Sequence, residues 1–297
     1  MIVGTRREAR AAWLFLAPAL AVYVGFALLP ILAAAGLSLS SWNQGQARPA
    51  WLGLGNYSEA FADGVFWKAV LNNLLLAALS VAVQLPIALA LAAALAGPLR
   101  GRWLFRTTYF APMVLPTVVI AFFWRFFLLD PADGLANAAL RAVGAGGADW
   151  LGDPKLAFGA VFSAVSWKYV GFHMVILLAG VLAIPAGLYE AAELDGAGAW
   201  GRFRHVTLPG VAPVLGVCAL LAVIGSLKYF DLVYVMTKGG PDHATELGAT
   251  WIYAVGVDGR RVGYGSALAI VLLVVSLLAA WVVMRLRRGV QPTGGAA

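Results

Sequence analysis

The chain has 297 residues, 62% of them hydrophobic and only 12% charged, with a mean hydropathy of +0.84. A soluble domain carries about 25% charged residues and is apolar over about half its length, so composition excludes a soluble globular protein and places this chain in lipid. The formal charge of +7 and pI near 9.8 do not indicate a nucleic-acid binder, because the basic residues fall in short clusters between apolar runs, where they set membrane topology.

A hydrocarbon core of about 30 Å requires roughly 20 apolar residues at a helical rise of 1.5 Å. Six runs meet that length, at residues 11–37, 69–96, 107–129, 156–184, 210–236 and 264–284. None has strand alternation, and unpaired backbone is not tolerated in lipid. The expectation is an all-α polytopic membrane protein: an N-terminal segment 1–10, a six-helix transmembrane domain 11–284 and a tail 285–297. Run one follows Arg6, Arg7 and Arg10 and imitates a secretory signal, but it is about twice the 7–15 apolar residues such a signal uses, so it reads as a retained anchor.

Gln84 and Pro86 interrupt the second run, and Pro112 and Pro116 the third. They serve either as levers or as the ordinary prolines of membrane helices. Arg100, Arg102 and Arg106 fill the second connection, Arg202 and Arg204 the fourth, and Arg285, Arg287 and Arg288 follow the last run. The longer alternate connections carry acids, among them Glu59, Asp63, Asp130, Asp149, Asp242 and Glu246. The positive-inside rule then puts both termini in the cytoplasm. Cys218, the single cysteine, has no partner and reads as a packing residue; neither a disulfide framework nor a cysteine-rich metal site is available.

The fourth connection, YEAAELDGAGAWGRFRHVTLP at 189–209, is the polar exception between two apolar runs. Ala191 and Ala192 favour helix, Gly196 suits a left-handed helix end, and Pro185 suits a first turn. These predict a short helix over 185–195 and a second over 198–206, with Leu208-Pro209 turning the chain back into the membrane. The pattern Glu190-Ala191-Ala192, Gly196, then Val206-Thr207-Leu208-Pro209 resembles the EAA motif of ABC importer permeases, with Val206 in place of the usual isoleucine. Further strings are similar to the carbohydrate uptake, maltose-type branch: Leu52-Gly53-Leu54-Gly55-Asn56-Tyr57, Trp150-Leu151-Gly152-Asp153-Pro154, Thr237-Lys238-Gly239-Gly240-Pro241 and Gly263-Tyr264-Gly265-Ser266-Ala267. Asn72-Asn73 departs from the Asn-Thr common in that branch, and no role is assigned to it.

The resemblance implies a permease subunit in a prokaryotic cytoplasmic membrane, forming half of a path for a sugar or sugar-like solute. Its implied partners are a cytoplasmic ABC ATPase dimer, a second homologous permease, an extracytoplasmic solute-binding protein and membrane lipid. The coupling set is Glu190 as charged anchor, Ala191, Ala192, Asp195, Gly196 as bend, Arg202, Leu208 and Pro209. No cofactor or nucleic acid is implied. The chain has no G-x-x-x-x-G-K-[ST] string, so nucleotide hydrolysis belongs to a partner. Gly196-Ala197-Gly198-Ala199-Trp200-Gly201 matches G-x-G-x-x-G by letter only, with no strand before it, and Asn56-Tyr57-Ser58 matches a glycosylation sequon by accident.

Ionisable residues inside spans are functional candidates because lipid makes them costly. Trp167, Lys168, Tyr169 and His173, with Lys228, Tyr229 and Asp231, are candidate linings of the solute path. The alternative for the first four is helix packing. Lys228 and Asp231, three apart, can instead neutralise each other, and Arg125 can reach the headgroups. Cations left unpaired would suit an anionic cargo such as a phosphorylated polyol. An intramembrane enzyme is disfavoured, since His173, His205 and His243 lie in different segments and no paired acids sit at membrane depth.

Overall fold

The computed structural model describes the backbone of residues 6–46 and 49–288, with side chains within 13–285. The side chains of Arg6, Arg7, Arg10, Arg287 and Arg288, on which the orientation partly rests, lie outside the described residues. Helix α1 covers 6–37, α2 Gly55–Ala62, α3 Gly64–Ala96, α4 Arg102–Val114, α5 Thr117–Leu128 and α6 Leu135–Ala142. Then come α7 Pro154–Leu182, α8 Ala186–Leu194, α9 Ala199–Leu227, α10 Asp231–Met236, α11 Gly248–Tyr253 and α12 Val262–Arg288. Among the described residues the one β pairing is an isolated bridge between Ser40 and Trp51.

Five of these helices are long and apolar enough to cross a membrane, and α4 with α5, bent by 99° between them, makes a sixth if the pair is one span. The third run is therefore broken rather than continuous. Leu115 and Pro116 are both extended at the break, with ψ of 142° and 136°, because the residue before a proline is pushed out of the helical region. The fifth run also ends early: α9 stops at Leu227, and α10 is a separate helix.

Elsewhere proline is accommodated without a break. Three π turns, Val24–Leu28, Ser80–Gln84 and Phe203–Thr207, stand directly before Leu29-Pro30, Leu85-Pro86 and Leu208-Pro209. In each, the leucine N–H bonds five residues back, to Val24, Ser80 or Phe203. Proline has no N–H and its ring collides with the carbonyl four residues back; the wider turn moves that carbonyl aside and the helix continues. Gln84-Pro86 thus does not interrupt α3.

The chain forms two compact units. One runs up to Asp63 and includes Ile252–Leu272. Two of the family-like strings meet there. The buried Asn56 amide donates to the carbonyls of Ser38 and Ser40, both at 2.8 Å, which occupies the sequon asparagine. Arg261 grips Glu59 through two 2.7 Å bonds and stacks at 4.5 Å over Tyr264, whose hydroxyl donates to Asp63 at 2.8 Å. Those bonds from Glu59 hold the Arg261 guanidinium still higher than its ordinary value, so the arginine stays charged throughout the physiological range.

The second unit comprises Gly64–Trp251 and the chain from Leu273 onward. Its centre is α7, whose 29 residues span roughly 43 Å at 1.5 Å each. Asp153 caps its start by accepting from the Lys155 N–H at 2.9 Å, and Pro154 supplies the first turn. The second half of α3, then α4 and α9, pack around α7. One apolar cluster joins Leu85, Leu89, Met174, Leu177, Val211 and Cys218, where the cysteine is a packing residue. A second joins Leu76, Ile120, Val161, Leu232 and Leu247.

Gly171 is where α4 and α7 touch, because a Cβ there would collide with the Tyr109 carbonyl. Gly171→Ala should force the two helices apart at a cost of about 1–3 kcal/mol. Thermal unfolding of the detergent-purified protein reads this directly, and an unchanged midpoint would contradict the packing.

Candidate functional site

The 185–209 connection forms an elbow. Helix α8 ends in a Schellman motif: Gly196, at φ +76°, donates to Glu193 at 3.0 Å and Ala197 donates to Ala192 at 2.9 Å. Only a left-handed residue closes such an end, hence the glycine. The Arg202 guanidinium pairs with Glu193 at 3.1 Å across the bend, and the Tyr189 and Thr207 hydroxyls meet at 3.0 Å. Arg202 therefore staples the two arms together. Glu190, Ala191, Asp195 and Gly196 are exposed and Ala192 is half-buried. Leu194 and Trp200 are 90% and 71% exposed, a large apolar display for a segment that is otherwise polar.

The second arm differs from expectation. A separate helix ending at Leu208-Pro209 does not form; the π turn at Phe203–Thr207 carries the arm through this step, and Ala199 to Leu227 is one helix. Leu208 and Pro209 lie within this rod rather than at a turn.

Within the same unit α3, α4, α7 and α9 enclose a cavity of about 230 Å³ lined by Ser80, Gln84, Tyr169, His173, Ser226 and Tyr229 among mostly apolar neighbours. Tyr169 and His173, one helical turn apart, both face it. Gln84 Nε2 lies 2.9 Å from His173 Nδ1, and the Tyr169 carbonyl lies 3.1 Å from the same nitrogen. Gln84 Oε1 and His173 Nε2 are buried without a partner.

Two proton arrangements satisfy Nδ1. If it accepts from the Gln84 amide, the ring proton sits on Nε2, leaving an imidazole donor and an amide-oxygen acceptor free. If Nδ1 is protonated, the amide turns over, leaving an amide donor and a ring-nitrogen acceptor. Either way the pair presents one donor and one acceptor. Tyr169 and Tyr229 meet edge to face at 5.9 Å, and the buried Tyr229 hydroxyl lies near that of Tyr169 without a well-formed hydrogen bond.

The other candidates lie elsewhere. Lys168 is buried, 4% exposed, and its Nζ donates at 2.8 Å to the Leu115 carbonyl at the break between α4 and α5. Trp167, 41% exposed, points away and stacks on Phe123 at 5.9 Å. Lys228 and Asp231 are both exposed beyond the end of α9, and no ion pair joins them among the described residues. Arg125 donates to the Val235 carbonyl at 3.1 Å, tying α5 to α10, and lies over Phe126 at 5.3 Å.

A model of the "binding-protein-dependent transport system inner membrane component" family matches residues 84–292. The chain belongs to that family. It is 34% identical to the trehalose/maltose transport system permease protein MalF of Thermococcus litoralis over 95% of both chains. It is 37% identical to the lactose transport system permease protein LacF of Rhizobium radiobacter over 81% of both. A solved bacterial ABC transporter involved in import of the acidic polysaccharide alginate has a chain that superposes with a TM-score of 0.82 at 25% identity, covering 97% of this chain and 99% of that one. The protein is thus a multi-pass inner-membrane ABC permease of the carbohydrate uptake branch, and a transport subunit rather than an enzyme.

Reading the sequence of this permease missed Gln84 as a cavity residue, because a single polar residue beside a proline looks like a kink. It also left Asn72 and Asn73 without a role. The Asn72 amide donates to the carbonyls of Ala244 and Glu246, at 3.2 and 2.9 Å, and Lys68, one turn away, donates to Asp242 at 2.7 Å. Together they fasten the 237–247 loop to α3. The available signal was polar residues at i and i+4 on an otherwise apolar helix.

Lys168→Met should leave the Leu115 carbonyl unpaired, at about 1–3 kcal/mol. Hydrogen exchange is expected to quicken around residues 114–118, and unchanged exchange there would remove the lysine from this role. Arg202→Ala, by contrast, breaks a partly exposed pair and should cost no more than about 1 kcal/mol in thermal unfolding.

Proposed function

We propose that this permease forms half of the translocation path for a sugar or sugar-like solute, driven by ATP hydrolysis on partner subunits. The reading rests above all on the continuity of α9, which carries Arg202 at the elbow and Ser226 in the cavity wall on one rod. The exposed elbow, with Glu190 as charged anchor and Leu194 and Trp200 as apolar contacts, docks into a cleft of an ABC ATPase dimer on the cytoplasmic side. Ala191, Ala192, Asp195 and Gly196 set the shape of that contact, and Leu208 and Pro209 transmit it into the membrane. Both termini are cytoplasmic, a second homologous permease completes the path, and an extracytoplasmic binding protein delivers the solute. ATPase closure draws the elbows together and turns the cavity outward.

The cavity supports a neutral hydroxylated cargo over an anionic one such as a phosphorylated polyol. Its lining includes no cation; Lys168 and Arg125 are engaged with carbonyls, and Lys228, beside Tyr229 in sequence, is exposed and not part of the lining. One donor, one acceptor and two tyrosine rings suit a hydroxyl-bearing ring. Its volume, below the roughly 300–1,000 Å³ of drug-sized sites, suits a single sugar unit. Trehalose, maltose and lactose in the names of relatives point to the same class.

Vesicles holding the permease with its partner permease, ATPase and binding protein test both halves. Glu190→Lys should abolish uptake or co-purification with the ATPase; wild-type behaviour in both would refute the docking. His173→Phe and Gln84→Leu should each lower uptake of a neutral sugar roughly fivefold, the worth of about one hydrogen bond. Full activity in both variants would remove the cavity from the path, and preferential uptake of the phosphorylated form would overturn the cargo class.

A further inference from the structure

Helix α9 ends at Leu227, where the Ser226 carbonyl accepts a long 3.5 Å bond from the Tyr229 N–H and has room for a stronger donor. α11 begins at Gly248 with an amide that needs an acceptor. One side chain serves both. Asn73, fully buried on α3, donates from Nδ2 to the Ser226 carbonyl and accepts from the Gly248 N–H at Oδ1, each at 2.7 Å. A neutral amide has this donor and acceptor in one plane; an ionised carboxylate would set a second oxygen against the Ser226 carbonyl.

Ser226 is also a wall of the cavity, and Gly248 closes the 237–247 loop that Lys68 and Asn72 hold to α3. The loop and the wall thus share a buried joint at the end of α9 remote from the elbow. That joint lies about 40 Å from Ala199 along the rod, at 1.5 Å per residue.

We propose that Asn73 is a positioning residue that locks the Ser226 wall to the 237–248 loop, so that neither moves without the other. When the α9 rod swings, Asn73 carries the displacement into the loop, and a load on the loop returns by the same route. The inference rests on the proposed role of the cavity, but its first test does not.

In the full-length chain with Cys218→Ala and Ser226→Cys, in membrane vesicles, a membrane-impermeant maleimide reports access to position 226 in the absence of solute and nucleotide. The Ser226→Cys change leaves the bonded carbonyl in place. Adding Asn73→Asp should raise the labelling rate about tenfold, as expected when a buried hydrogen-bonded joint loses a partner. An unchanged rate overturns the proposal. In the assembled importer the same variant should raise ATP consumed per solute severalfold. If yield falls while that ratio and the labelling rate hold, Asn73 is merely structural and the proposal fails. Asn73→Ser, small and neutral, is read in both assays with the same expected direction if the aspartate variant does not accumulate. Because labelling needs no transport, it still judges Asn73 if the uptake assays reject the cavity as the path.

Discussion

The constraint on which this fold depends is that a backbone carbonyl in lipid must find a donor within the protein. Every Leu-Pro step in a spanning helix removes one N–H and creates that need. The chain meets it in two ways. At Leu29-Pro30, Leu85-Pro86 and Leu208-Pro209 a π turn absorbs the proline and the helix runs on. At Leu115-Pro116 the helix breaks by 99°, and the Leu115 carbonyl, which the break leaves between the two helices, accepts from Lys168. The lysine, costly to bury by itself, is retained where the break in the helix leaves a carbonyl in need of a donor.

Several cations of the second unit serve carbonyls. Lys68, Arg106, Arg125 and Lys168 each donate to a main-chain carbonyl: Asp242, Leu95, Val235 and Leu115 respectively. They act as clamps between elements, which leaves the cavity to neutral groups. Polarity in the cavity comes from amide, imidazole and hydroxyl, the groups that under the proposed function would meet the hydroxyls of a solute. Charge thus serves architecture here, and the cavity keeps neutral hydrogen-bonding groups.

The class of fold was legible in the sequence because the physics behind it is local: apolar runs of membrane length read out one at a time, and Glu190 through Pro209 form a contiguous motif. Gly196 could be placed as a left-handed stop from its position after an alanine-rich helix. What could not be read was set by partners far along the chain. Lys168 looks like a path residue and Arg125 like a headgroup anchor until their carbonyl partners, 53 and 110 residues away, are known. Gln84 and His173, 89 apart, acquire meaning only together. The expected turn at Leu208-Pro209 failed for another reason: proline signals a helix end, and a π turn upstream cancels that signal without leaving a mark in composition.

The uninterrupted α9 fixes geometry by residue count. Successive residues of a helix advance about 100° around its axis, so the direction in which Ser226 faces is set by the number of residues separating it from Ala199. The extra residue held in the Phe203–Thr207 π turn is part of that count. One inserted or deleted residue along this stretch would rotate the cavity wall by more than a quarter revolution relative to the elbow, although every hydrophobic residue stayed in lipid. The length of this segment is therefore under tighter restraint than its composition.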